Sequence, residues 1–236
     1  MSKGPVYAMA ISPHPADNDF GVGGTVSKWI RDGKKVVYVI ATNGDKASSN
    51  PDIPADELAR IRANEQREAA EILGVTEVVF LGHPDLELEN VPGLQKEILR
   101  LFLTFRPEIV ITCDPNNPPY FSNPDHRAIG RAVLDAVWPM ALAVNYYRDL
   151  MAEGLEIHHA KEMYLWMSSE PNFYSDISDV FDTKMKAVEI HQSQIGPNGS
   201  APDFLNFLKE GNKNAGKQAS CEWAEAFHRL EVLQRL

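Results

Sequence analysis

The chain has 236 residues, 44% of them hydrophobic, which is enough for one sizeable core; the expectation is a single domain over 1–236, less regular from about 196. Its net charge of −10, with acidic and basic residues interleaved, argues against nucleic acid as a partner, because phosphate binding needs a basic face. No apolar run reaches the ~18 residues of a membrane span, the opening MSKGPVY carries no signal-peptide pattern, and Cys113 and Cys221 make no disulfide framework, so the reading is a soluble, cytoplasmic protein.

Residues 6–28 hold a short apolar run, the Pro-flanked His14, the acidic Asp17 and Asp19, and then Gly21, Gly23 and Gly24. An apolar run of this length bounded by turn residues reads as a buried strand. The glycines let the chain turn tightly and start a helix under the strand end. Residues 35–42 (KVVYVIAT) read as a second strand, closed by the turn Thr42-Asn43-Gly44-Asp45, and the polar stretch 46–55 as a loop at the rim of a site. From Asp56 to Leu73 apolar residues fall at helical spacing, with Gly74 as C-cap and Arg62 beside Glu65 at i,i+3. Residues 77–81 form a third strand running into His83-Pro84-Asp85, 92–105 an amphipathic helix, and 108–113 a fourth strand with Cys113 as an inert core residue. The Pro- and Asn-rich loop 114–125 leads into a helix from His126 to about Val137. Residues 161–167 are a further strand candidate, 182–191 a helix ending in His191-Gln192-Ser193-Gln194, and 196–220 a Gly-, Asn- and Lys-rich excursion; the tail 224–230 carries His228.

Strands alternating with helices mean crossover connections and a mostly parallel sheet of the α/β class. The loops after the strands then gather on one edge, where ligands bind in open α/β sheets. They bring together His14 and Asp17, Thr42 and Asp45, His83 and Asp85, and the loop that ends in Asp125-His126. His14, Asp17 and His126 make up two imidazoles and a carboxylate, the composition of a catalytic zinc site with an open position. Such a site lowers the pKa of bound water to about 7 and polarises a carbonyl. Asp125 stands beside His126 as a carboxylate that could orient a ligand. The plainer alternative, Asp17 as a helix cap and His126 as an exposed loop residue, loses weight because these groups collect at strand ends.

In this order the motifs resemble those of the PIG-L/LmbE-like family of zinc-dependent N-acetylglucosamine deacetylases. The family's His-Pro-Asp-Asp followed by Gly-Gly corresponds to His14-Pro15-Ala16-Asp17 with Gly23-Gly24, and its His-x-Asp-His to Asn123-Pro124-Asp125-His126. The Thr42–Asp45 turn, Arg62-x-x-Glu65, Asp85, His191-x-Ser193-Gln194 and Ala224-Glu225-Ala226-Phe227-His228 also fit, so the resemblance covers nearly the whole chain. It implies a Rossmann-like fold, zinc held by His14, Asp17 and His126, a small N-acetylated sugar or conjugate as substrate, and a homo-oligomer, trimer or hexamer. It also implies substrate contacts from Arg62, His191 and Asp85, and an oxyanion donor in His228. Fe²⁺, Co²⁺ or Ni²⁺ would suit a similar geometry. Each residue also has a plainer role. Arg62 could pair with Glu65, His191 could face a helix dipole, and His228 could be a core histidine. His158 and His159 read as surface residues, and Trp29, Trp138, Trp166 and Trp223 as packing.

Two departures stand out. Ala16 replaces the Asp that serves the family as general base, and Asn123 replaces the first His of the second motif, which stabilises the oxyanion. Asn can still donate a hydrogen bond to an oxyanion, but losing a general base typically costs about 10²–10⁴-fold in rate. Asp19 or Asp125 could take over the proton, Ala16 could be a change made to trap substrate, or the reaction could differ. Three functions follow: a zinc-dependent deacetylase, a zinc-dependent hydratase or lyase of an unsaturated carboxylic acid gripped by Arg62, or an inactive metal-binding relative.

Overall fold

The computed structural model of the chain describes residues 4–48, 50–117, 123–196 and 203–233. Its first half follows the predicted alternation: β1 (Ala8–Ser12), α1 (Asp17–Arg31), β2 (Val36–Thr42), α2 (Ala55–Leu73), β3 (Glu77–His83), α3 (Leu94–Phe105), β4 (Ile109–Cys113) and α4 (Pro124–Val137). The second half adds α5 (Arg148–Ala152), β5 (Glu162–Trp166), β6 (Phe173–Asp176), α6 (Phe181–Ile190), α7 (Gln192–Ile195), α8 (Phe204–Ala219) and β7 (Ala224–Glu231).

The described strands form one seven-stranded sheet in the order β3-β2-β1-β4-β5-β7-β6. β1 to β5 pair in parallel, and β7 runs antiparallel between β5 and β6. Every residue of β1, β2 and β4 is buried. A parallel sheet covered on both faces demands this, and it is why these strands read as unbroken apolar runs. α3 packs with α4, while α1, α2 and α6 pack together. Strand order reverses between the neighbours β1 and β4. Loops leaving two such strands diverge and open a crevice at the switch point, and here they carry His14–Asp17 and Asn123–His126.

Several expectations give way. Gly21, Gly23 and Gly24 lie inside α1 and make no turn. Their value is close approach: a Cβ at Gly21 would stand 2.7 Å from the Trp166 indole, and one at Gly24 2.7 Å from Ile177 Cδ1. The excursion expected over 196–220 is, from Phe204 to Ala219, the helix α8, while 197–202 lie outside the described residues. Its polar composition hid an apolar set, Phe204, Leu205 and Leu208, that packs against the buried cluster of Ile177, Phe181, Met185 and Val188. The tail is a strand, β7, with His228 opposite Leu165. Trp138 is 40% exposed, so it does not pack as expected.

β7 also ties the two halves together through charge. Glu225 accepts the Gly24 and Thr25 amides, each at 2.8 Å, and pairs with Lys184 Nζ on α6 at 2.7 Å. Both side chains are fully buried, and a buried pair of this kind holds only when its remaining lone pairs are satisfied. Among the described residues no helix is long and apolar enough to cross a membrane.

Candidate active site

His14 follows β1 directly and Asp17 opens α1, so both stand at the carboxyl edge of the sheet. His126 lies in the first turn of α4. That helix begins two residues before the expected start at His126: Asn123 is the N-cap, its Oδ1 accepting the Asp125 amide at 2.9 Å, and Pro124 follows at the first helical position.

The three expected ligands meet at one oxygen. Asp17 Oδ2 lies 2.9 Å from His14 Nδ1 and 3.4 Å from His126 Nε2, and it also accepts the His14 amide at 3.0 Å. Donor atoms of His14, Asp17 and His126 all fall within 4.8 Å of one another, the reach of a single cation. His14 Nε2 points the other way, 3.0 Å from Asp85 Oδ1 and 3.3 Å from Asp125 Oδ2. His14, Asp85 and Asp125 also satisfy cation spacing, but two observations favour the first set. Asp125 is fully buried, with its oxygens already accepting the Leu86 amide at 2.6 Å and the Leu88 amide at 3.1 Å. A carboxylate on the far nitrogen of an imidazole is also the usual support for a metal-ligating histidine, because it fixes the tautomer.

The charges are mutually dependent. Burial alone would push the Asp17 carboxyl up, but the His126 and His14 imidazoles reverse this and hold it far below the usual carboxylate range. Burial would lower the His126 pKa, yet Asp17 raises it to about 10. His14 is likewise raised well above an ordinary histidine, against the cost of burial, by Asp17, Asp125 and Asp85. Asp85 is held below its ordinary value by His14 and Arg62, which outweigh its desolvation. The cluster is therefore rich in carboxylate and draws positive charge, a fit for a divalent cation on nitrogen and oxygen donors.

A cavity of about 340 Å³ opens over the triad, lined by His14, Asp17, Arg62, Asp85, Asn123 and His126, together with Phe20, Lys46, Leu86 and Gln194. Other predicted residues are not part of its lining. Ala16 is 1% exposed and presents only a methyl group. Asp125 sits behind His14. His191 is fully buried, its Nε2 2.7 Å from Asp19 Oδ2, so the substrate contact expected of it is not made from this position. His228 bonds through Nδ1 to the Glu170 carbonyl at 2.8 Å. Arg62 does not pair with Glu65. It donates to the Gly44 and Pro15 carbonyls, each at 2.8 Å, while Glu65 accepts from the Ser193 amide and hydroxyl at 2.8 and 2.5 Å.

Lys46 escaped sequence reasoning as a wall residue: it bonds the Asp85 carbonyl and Glu87, and only its place in the polar rim loop hinted at it. Gln194, quoted with the His191-x-Ser193-Gln194 match but given no role, lies in α7 and bonds the Ala47 carbonyl. Trp166, read as packing, lays its ring edge-on against His126 at 5.6 Å between centroids. Cys113, read as inert core, is buried and donates to the His126 carbonyl at 3.1 Å.

The family model described as PIG-L: GlcNAc-PI de-N-acetylase matches residues 9–137, which contain the whole triad and both Asp85 and Asp125. The chain belongs to the PIG-L family. A relative, the diacetylchitobiose deacetylase of Thermococcus kodakarensis, is 37% identical over 187 residues, covering 79% of this chain and 69% of that protein. Among solved structures, the N,N'-diacetylchitobiose deacetylase from Pyrococcus horikoshii, complexed with its inhibitor MPG, superposes with a TM-score of 0.88 at 28% identity over 95% of this chain and 84% of that one. GalB, the 4-carboxy-2-hydroxymuconate hydratase of Pseudomonas putida, reaches a TM-score of 0.81 over 98% of this chain and 99% of its own, but at 20% identity it speaks for the fold alone. This PIG-L family chain thus shares its architecture with proteins named for two different reactions, so the side chains at the cavity have to separate them.

Proposed function

We propose that the chain is a zinc-dependent N-deacetylase acting on a small N-acetylated sugar. The observation that carries this reading is the meeting of His14 Nδ1 and His126 Nε2 at Asp17 Oδ2, on the wall of a cavity of about 340 Å³, in a PIG-L family member. The volume is at the lower end of small-ligand pockets, about 300–1,000 Å³, and suits a sugar ring. Zinc held there supplies Lewis-acid polarisation of the amide carbonyl and a lowered pKa for water. Asp85 and Asp125 keep the His14 proton on Nε2, so that Nδ1 offers its lone pair to the cation. Asn123 spends its Oδ1 on the helix cap, so Nδ2 is the end it offers to the substrate carbonyl oxygen.

Proton transfer cannot fall to Ala16, and Asp19 and Asp125 are buried away from the cavity. Asp85 is the lining carboxylate outside the triad among the described residues, and we assign the proton to it. A cytoplasmic homo-oligomer, trimer or hexamer, is proposed from the family resemblance alone, and light scattering checks the assembly.

The test is amine release from N-acetylglucosamine and N,N'-diacetylchitobiose, with zinc and after chelation. Restoring an acid with Ala16→Asp is expected to raise turnover by about 10²-fold or more. The backbone there, at φ +90°, is a conformation Asp tolerates better than most residues. The missing base favours a second reading, hydration of an unsaturated dicarboxylic acid. Turnover of such diacids, with no amine released from acetylated sugars before or after Ala16→Asp, would overturn the deacetylase reading.

A further inference from the structure

α2 presents Arg62 and Gln66, one helical turn apart, to a single peptide group in the loop after β1. Arg62 Nη2 donates to the Pro15 carbonyl at 2.8 Å, and the Ala16 amide donates to Gln66 Oε1 at 2.8 Å. The Pro15 carbonyl and the Ala16 amide are the two ends of one planar peptide bond. Gripping both ends fixes the plane of that bond, and the bond lies between the ligands His14 and Asp17. The loop has reason to need the grip. Ala16 sits at φ +90° and ψ −31°, left-handed backbone that a residue with a Cβ holds only when its surroundings impose it.

The other end of Gln66 reaches deeper. Its Nε2 donates to Asp19 Oδ2 at 2.8 Å, the oxygen that also takes His191 Nε2 at 2.7 Å. The Ala16 amide requires an acceptor and the Asp19 carboxylate a donor, so the orientation of the Gln66 amide is dictated by its partners. Gln66, Asp19 and His191 are fully buried and Arg62 is 3% exposed, so water does not compete for these bonds.

We propose that Gln66 is a positioning residue of the metal site. It connects the buried His191–Asp19 pair to the Pro15–Ala16 peptide and so holds His14 and Asp17 in register for one cation. This rests on the metal reading above. It also gives Asp19 and His191, which stand off the cavity, a part in building it.

The experiment measures zinc affinity by competition with a chromogenic chelator, alongside melting of the metal-free protein and steady-state kinetics. Gln66→Met keeps the length of the side chain but neither accepts from Ala16 nor donates to Asp19. It is expected to weaken zinc by about 10–100-fold, the usual cost of losing an outer support, and to lower kcat with KM little changed. Leu58→Ala, at a buried position on the same helix, controls for stability alone and is expected to lower the melting temperature with zinc affinity intact. Wild-type zinc affinity in Gln66→Met, or an equal weakening in Leu58→Ala, overturns the proposal. If Gln66→Met does not fold, Gln66→Asn decides in the same way, since its shorter amide cannot span both partners. A wild-type protein that binds no zinc defeats the metal reading itself, a result distinct from either.

Discussion

Two of the buried charge clusters among the described residues are built to opposite ends. Under the sheet, Lys184 and Glu225 form a closed pair: one cation, one carboxylate, and the Gly24 and Thr25 amides on the oxygens of Glu225. At the sheet edge, Asp17, Asp85 and Asp125 gather around two imidazoles, with Arg62 as the permanent cation, 3.9 Å from Asp85. The first cluster is balanced and sealed. The second balances its three carboxylates only when its imidazoles hold protons or a metal ion is bound, and it borders a cavity. Buried charge left short of a partner is costly, so the edge cluster remains poised to take up a proton or a metal ion. The contrast separates charge that holds a fold together from charge that prepares a site.

Mutation should break the two clusters differently. Asp17→Asn removes the negative charge on which both imidazoles converge. It is expected to cost more in zinc affinity and turnover than the ~10–100-fold typical of outer-shell changes, with the circular dichroism spectrum preserved; a variant that retained zinc would show that the ion sits elsewhere. Glu225→Leu should do the reverse. It strands the Lys184 charge and is expected to destabilise the fold by about 3–5 kcal/mol in denaturant titration. Adding Lys184→Met should recover much of that loss, and failure to recover would mean that the pair is not the balanced unit described.

Proton competition sharpens the comparison. The edge cluster raises His126 to about 10 and His14 well above its ordinary value, so both rings attract protons at neutral pH. A cation must displace them, and zinc affinity should therefore fall as pH falls, by up to about tenfold per pH unit for each proton displaced. Calorimetric titration in buffers of different ionisation heat should register the release. For the metal-free fold the sign is opposite: the stability contributed by a raised His126 is present below pH ~6.5 and lost as pH rises through about 10. The smallest effect belongs to the α4 start. Asn123→Ala should cost about 1 kcal/mol of stability through the lost cap, whereas Asn123→Asp should keep the cap and replace the cavity-facing donor with a charged acceptor.

Legibility followed the same division. β1, β2 and β4 showed as apolar runs because strands covered on both faces have no polar side to interrupt them. His14, Asp17 and His126 could be found because each lies beside a strand end or a helix start that the sequence marks locally. α8 was missed because its apolar stripe is narrow and set among Asn, Lys and Gly. Gln66 was missed because on a helix rich in charge it reads as one more solvated residue, although its spacing from Arg62 placed both on one face. His191 and Asp125 were visible as polar groups, but nothing in their neighbours along the chain showed that each would be sealed behind the cavity.

By itself, then, the sequence determined the α/β alternation, the edge of the sheet where polar loops collect, and the chemical types available there, because periodicity and turn residues act over a few positions. Only the tertiary structure decided that β1 and β4 are neighbours, that three side chains from two distant loops share one oxygen, and which carboxylates face the cavity and which stand behind it. Those outcomes depend on contacts between residues tens to more than a hundred positions apart, and a local pattern marks which apolar faces are buried but not what they are buried against.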